Sequence, residues 1–222
     1  MDKAYVIIPA RGGSKGVPMK NVQLVGNTSL IARSVLAAKE AFLDSPCVVA
    51  TDCPTIKEEA LAYGARIINL PERLTTDNSP SEGSLVYAIE HFWPSDCSVV
   101  AFVQCTSPFV TAEDIRGTAA LVQSGEYDSA LAVAPFHGFI WGAGGKGITH
   151  NEDVMRVQRH RYPAKYLETG SVYAFRRKLF LETQNRFCGR TGLHISESPR
   201  LEIDEPADLV QAQLMERLYR GN

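Results

Sequence analysis

Apolar residues follow two rhythms along this chain. Short unbroken blocks, among them Tyr5-Val6-Ile7-Ile8, Cys47-Val48-Val49-Ala50 and the run within 98–103, are rich in β-branched residues and predict strands buried on both faces. Between them apolar positions recur every three or four residues. Leu30, Ile31, Val35, Ala38 and Phe42 predict a first helix over about 29–43, capped from Asn27-Thr28-Ser29. A second helix runs from Pro54 to Tyr63 and stops at Gly64, after which 66–69 returns to strand. A third follows Ser79, Ser81 and Glu82 with Leu85, Ile89 and Phe92 on its apolar face. The fourth spans 111–123, with Thr111 as cap and Glu113 and Asp114 suited to its first turn. Strands are expected at 129–134 and 168–175, a short helix at 177–182, a strand at 201–204 and a last helix from Pro206.

Strand, helix, strand repeated in this way implies parallel pairing with right-handed crossovers, a three-layer αβα, Rossmann-like, mostly parallel sheet. Residues 136–168 break the pattern. They are rich in Gly, aromatics and cations, with no helical period, and predict strand-like ribbons inserted in a single domain spanning 1–222.

Composition narrows the chemistry. With 222 residues, 45% hydrophobic and 22% charged, the chain suits one soluble α/β domain. A net charge of −2 supplies no general field for nucleic acid or a membrane surface. The five cysteines are odd in number, lack CxxC spacing and predict a reduced, cytoplasmic protein without zinc. Met1-Asp2-Lys3 runs directly into the first strand, which predicts no signal peptide, and no apolar run approaches a membrane span.

Candidate chemistry gathers in IPARGGSKGVPMKN at 8–21. Glycines let backbone N–H groups approach an anion, and Arg11, Lys15 and Lys20 oppose its charge, which suits a polyphosphate. Neither GxxxxGK[ST] nor GxGxxG spacing is present. Thr51-Asp52 falls at the carboxyl end of the second strand, where open α/β sheets place ligands, and Asp52 reads equally as a helix cap. Gln104 follows the most apolar strand and can read hydroxyls. On a strand, Glu202 and Asp204 would share a face; either a cation joins these carboxylates or a salt bridge closes the strand end.

The run at 8–21 resembles the signature of the CMP-sialic acid synthetase (acylneuraminate cytidylyltransferase) family, enzymes that activate sialic acid and related 2-keto-3-deoxy sugar acids as CMP conjugates. Further blocks resemble it in order: Asp77 and Ser81, Gln104-Cys105-Thr106-Ser107-Pro108, Arg159 with Pro163, Glu168-Thr169-Gly170 with Tyr173, and Glu202-Ile203-Asp204. The resemblance implies a nucleotide-diphospho-sugar transferase fold with a dimerisation arm at 136–168. It implies a CTP site from Ala10, Arg11, Gly12, Gly13, Ser14, Lys15, Lys20, Asn21, Asp77 and Ser81, the amides of Gly12 and Gly13 facing the triphosphate. Gln104, Arg159 and Tyr173 would meet the sugar acid. Asp204 and Glu202 would hold Mg²⁺ (or Mn²⁺), and Arg11, Lys20 and Asp204 would carry catalysis.

The implied reaction transfers CMP from CTP to the anomeric hydroxyl of such an acid, with pyrophosphate released. N-acetylneuraminate leads; legionaminic, deaminated sialic and octulosonic acids follow. The sequence departs from the family pattern with Leu70 in place of an Arg, Cys105 in place of a Pro and Arg161 in place of an Asp. Arg73 either replaces the missing cation or is an ordinary surface residue. Other classes are a nucleotide-sugar glycosyltransferase, which predicts a metal motif after a middle strand, and a sensor that binds CTP without releasing pyrophosphate.

Overall fold

The computed structural model of the protein describes residues 3–92, 97–150 and 163–220. Its centre is a seven-stranded sheet formed by β1 (Lys3–Pro9), β4 (Cys47–Thr51), β5 (Arg66–Asn69), β6 (Cys97–Val103), β7 (Ser129–Phe136), β8 (Lys165–Arg176) and β9 (Thr191–Ile195). Two further strands, β2 (Leu24–Val25) and β3 (Thr28–Ser29), make a small hairpin before the first helix. The sheet order is β5-β4-β1-β6-β8-β7-β9, parallel except at β8, which runs against both β6 and β7.

Alternation along the strands builds both outer layers. Val6 and Ile8 of β1, with Val49 of β4, pack beneath α1 (Leu30–Ala41), α2 (Pro54–Ala62) and α4 (Ala112–Gln123). Ile7, Val48 and Phe102 face the other way, onto α3 (Ser81–His91) and α5 (Arg177–Thr183). Successive strand residues point to opposite faces, so an unbroken apolar block is what a sheet covered on both sides requires.

Helix starts follow local chemistry. Ser29 caps α1 by accepting from the Ala32 amide at 3.2 Å, and Thr111 with Asp114 forms a reciprocal capping box on α4. Helix α6 (Pro206–Arg220) crosses back to the beginning of the chain. Gln213 accepts from the Gly26 amide at 3.1 Å and donates to Leu24 O at 2.6 Å, while Glu216 pairs with Arg33 at 2.5 Å.

Two expectations need correction. Residues 201–204 form no strand: Ile203 donates to Thr106 O at 2.8 Å and is buried with Val17, Val25, Leu30 and Ala212. The Asp204 and Glu205 amides instead donate to Asp208 Oδ2 at 3.0 and 2.8 Å, tying the start of α6. Conversely, β9 has no counterpart among the strands that the apolar pattern predicts. Of the 136–168 insertion, 137–150 holds only an isolated bridge between Trp141 and Gly147, and its end joins β8. The rest, at 151–162, lies outside the described residues.

Candidate active site

Strands β1, β4 and β6 are parallel neighbours, so their carboxyl ends share one edge of the sheet. A cleft of about 430 Å³ opens there. The loop after β1 supplies Ala10, Arg11, Ser14, Lys15, Lys20 and Asn21 to its wall; Asp77, Ser81, Gln104 and Asp204, all expected from the sequence, join them. Phe102, Ser84 and Thr106 also line it. Strand alternation could have found Phe102, and Thr106 falls inside the block at 104–108 that resembles the family, but no motif marks Ser84.

The two ends of the chain meet in this cleft. Lys20 Nζ donates to Asp204 Oδ1 at 2.9 Å across 184 residues. Gly16 makes the approach feasible, because a Cβ there would lie 1.9 Å from the Asp204 carbonyl oxygen. On the other wall, Asp77 pairs with Lys15 at 2.8 Å and with Arg11 at 3.5 Å. The hydrogen bond from Lys15, with the charges of Lys15 and Arg11, holds the Asp77 carboxyl below its ordinary value. Arg11 also donates to Thr76 O at 2.7 Å, so its fork is already oriented.

Asn21 is 5% exposed and serves the loop. Its Nδ2 donates to Arg11 O at 3.0 Å, and its Oδ1 accepts from the Cys105 thiol at 3.1 Å. Burial pushes the Cys105 thiol up to about 12, which keeps it a neutral donor. The Gly12 amide is likewise engaged, donating to the Asp52 carboxylate at 2.8 Å, and is turned to that side chain instead of the cleft. Asp52 is thus an anchor of the loop, neither the α2 cap nor a lining residue; Cys53 holds the cap position. Gly13 does not line the cleft.

Glu202 stands off the cleft wall against Gly170, where a Cβ would meet its carboxyl oxygen at 2.1 Å. Burial raises its carboxyl, and the charge of Asp204 adds to the effect. Tyr173 is in the core, 3% exposed, with its hydroxyl donating to Glu168. Leu70 is buried on the cleft wall, and the Arg73 guanidinium lies 5.9 Å from the Tyr87 ring rather than on that wall. Arg159 and Arg161 lie outside the described residues. Among the described residues no group of three or more His, Cys, Asp or Glu side chains is placed to hold a metal ion, and no helix is long and apolar enough to cross a membrane.

A family model described as cytidylyltransferase matches residues 5–218. The chain belongs to the cytidylyltransferase family. Among relatives of this cytidylyltransferase, N-acylneuraminate cytidylyltransferase A of Danio rerio is 27% identical over 96% of the chain. The chain spans about half, 50%, of that relative's length. Post-translational flagellin modification protein B of Campylobacter coli is 26% identical, with 94% of this chain and 92% of that protein aligned. A solved CMP:2-keto-3-deoxy-manno-octonic acid synthetase complexed with CTP superposes with a TM-score of 0.67 at 17% identity, covering 98% of this chain and 99% of that one. These likenesses bear out the family and the fold expected from the sequence.

Proposed function

We propose that the protein transfers CMP from CTP to the anomeric hydroxyl of a 2-keto-3-deoxy sugar acid, N-acetylneuraminate first among them, and releases pyrophosphate. The observation that carries this reading is the Lys20–Asp204 contact at 2.9 Å, which unites the cationic loop and the carboxyl-terminal acid in one cleft. The acceptor hydroxyl attacks the α-phosphorus directly, so the chain positions reactants and offsets charge without a covalent nucleophile. Arg11, Lys15 and Lys20 would bind the triphosphate and stabilise the leaving pyrophosphate. Asp77 would hold Arg11 and Lys15 in place beforehand. Gln104 would read acceptor hydroxyls, and Arg159 would meet the carboxylate.

Asp204 and Glu202 are the residues that would hold Mg²⁺ (or Mn²⁺). Two carboxylates suit that role, because Mg²⁺ takes one or two protein carboxylates and completes its shell with substrate phosphates and water. The bound ion would neutralise charge developing on phosphate oxygens. Five free thiols fit a reduced, cytoplasmic setting. A homodimer, with 136–168 as its arm, completes the reading.

Leu70 and Cys105 both depart from the family pattern and both line the cleft, which favours a second reading: the same transfer to a legionaminic, deaminated sialic or octulosonic acid. Pyrophosphate release, measured with CTP and Mg²⁺ against a panel of these acids and repeated with UTP and ATP, tests both. The expected result is turnover with CTP and N-acetylneuraminate. Preference for another acid selects the second reading, preference for UTP removes the cytidylyl assignment, and binding of CTP without turnover for any acid makes the protein a sensor.

A further inference from the structure

Arg186 belongs to no motif. It lies between α5 and β9, yet its side chain is only 14% exposed and joins parts of the chain more than 100 residues distant. Nε donates to Glu82 Oε1 at 2.7 Å and Nη2 donates to Ser81 Oγ at 2.6 Å, both acceptors in the first turn of α3. The guanidinium also sits 4.8 Å from the Phe102 ring centroid and 4.7 Å from that of Tyr173, and those two rings are stacked at 5.4 Å. Ser81 and Phe102 both line the cleft.

We propose that Arg186 is a positioning residue for the nucleotide: it fixes and polarises the Ser81 hydroxyl while bracing the Phe102 side of the cleft. This rests on the reading of the cleft as a CTP site. The other hydrogen bond of Ser81, to Glu82 Oε2, is long at 3.4 Å. With a lone pair held by a charged donor, the hydroxyl keeps its proton for a ligand acceptor and becomes a stronger donor through polarisation. Only a planar fork satisfies two acceptors and stacks on two rings together. A lysine ammonium keeps the charge without the fork or the plane.

The test measures CTP dissociation constants by calorimetry with Mg²⁺ present, and thermal midpoints without ligand, for the full chain and for Ser81→Ala, Arg186→Met, Arg186→Lys and the Ser81→Ala/Arg186→Met double variant. Each single variant is expected to weaken CTP binding about tenfold, the size of one lost hydrogen bond to a charged or polarised group. The double variant should lose less than the sum of the two single losses, since the Ser81 contact is common to both and only the bracing of Phe102 is separate. Arg186→Lys should keep a near-native midpoint without regaining affinity, an outcome that a merely structural role would not produce. CTP affinity unchanged in Arg186→Lys, or additive losses in the double variant, would overturn the proposal. Should Arg186→Met fail to fold, Arg186→Lys with Ser81→Ala and their double variant separate the same two outcomes. Failure of the unaltered chain to bind CTP would instead remove the nucleotide reading itself.

Discussion

Lys20 and Cys105 illustrate how differently single side chains can serve one cleft. Lys20 Nζ reaches a carboxylate whose side chain is 71% exposed, and such pairs contribute about 1 kcal/mol or less to stability. Its charge matters instead to the phosphates. Lys20→Ala is therefore expected to lower kcat about 10²–10³-fold, the usual cost of removing one charge-stabilising donor, with a thermal midpoint close to the parent's. Steady-state pyrophosphate release and thermal unfolding check the two halves; wild-type turnover at saturating CTP would remove the catalytic role of Lys20. Cys105 acts through Asn21. Cys105→Ser keeps a donor for Asn21 Oδ1 and should preserve CTP affinity, whereas Cys105→Ala leaves a buried acceptor unpaired and should cost about 1–3 kcal/mol of stability, measured by denaturant unfolding. The cationic wall of the cleft was legible from 8–21 because charge and glycine stand out in sequence. The engagement of Gly12 by Asp52, and of Asn21 by Cys105, was not, since it depends on strand ends brought together across 40 and 84 residues.

At the scale of elements, α4 and β9 meet through one glycine and one histidine. A Cβ on Gly117 would lie 2.2 Å from the His194 ring, so Gly117→Ala should destabilise the protein by about 1–3 kcal/mol through overpacking. The unfolding midpoint in urea measures it. His194 also stands 3.7 Å from Asp114, whose carboxylate accepts from Ser198 Oγ at 2.6 Å and Thr111 Oγ1 at 2.7 Å. Burial alone would raise the Asp114 carboxyl, but these partners outweigh it and hold the group well below its ordinary value. A depressed carboxyl contributes its full stability above about pH 4 and loses it as pH falls through the lower folded value. Asp114→Asn should consequently flatten the acid limb of the stability curve, and an unchanged limb would rule this group out. Strand β9 escaped the sequence because Thr191-Gly192-Leu193-His194-Ile195 is short, has a glycine at its second position and pairs with β7, 62 residues earlier at Ser129 and Thr191. The opposite error at 201–204 has the same root. Ile203 alternates with acids as a strand residue would, but it is buried against α6 and the loop after β1 rather than within a ladder.

Taken as a whole, the molecule has its fold set by the sheet and its site set by loops at one edge. An ion held by Asp204 and Glu202 and completed by substrate phosphates is expected to support turnover and not folding. Chelation should abolish pyrophosphate release while leaving the ligand-free thermal midpoint unchanged; a lower midpoint would indicate a structural metal. CTP at 100 times its dissociation constant should add about 2.7 kcal/mol of stability, a rise of roughly 5–10 °C for a chain of this size. Helix α6 lies outside the sheet, yet its Asp208 fixes the Asp204 amide, its Gln213 holds Gly26 in the turn of the β2–β3 hairpin, and its Glu216 holds Arg33 of α1. A protease nick just beyond residue 205 should then leave a protein with its sheet intact but its acid unmoored. Circular dichroism and turnover on the clipped chain would separate the two properties, and undiminished turnover would contradict this. Competence would be lost at a single peptide bond while the scaffold endured.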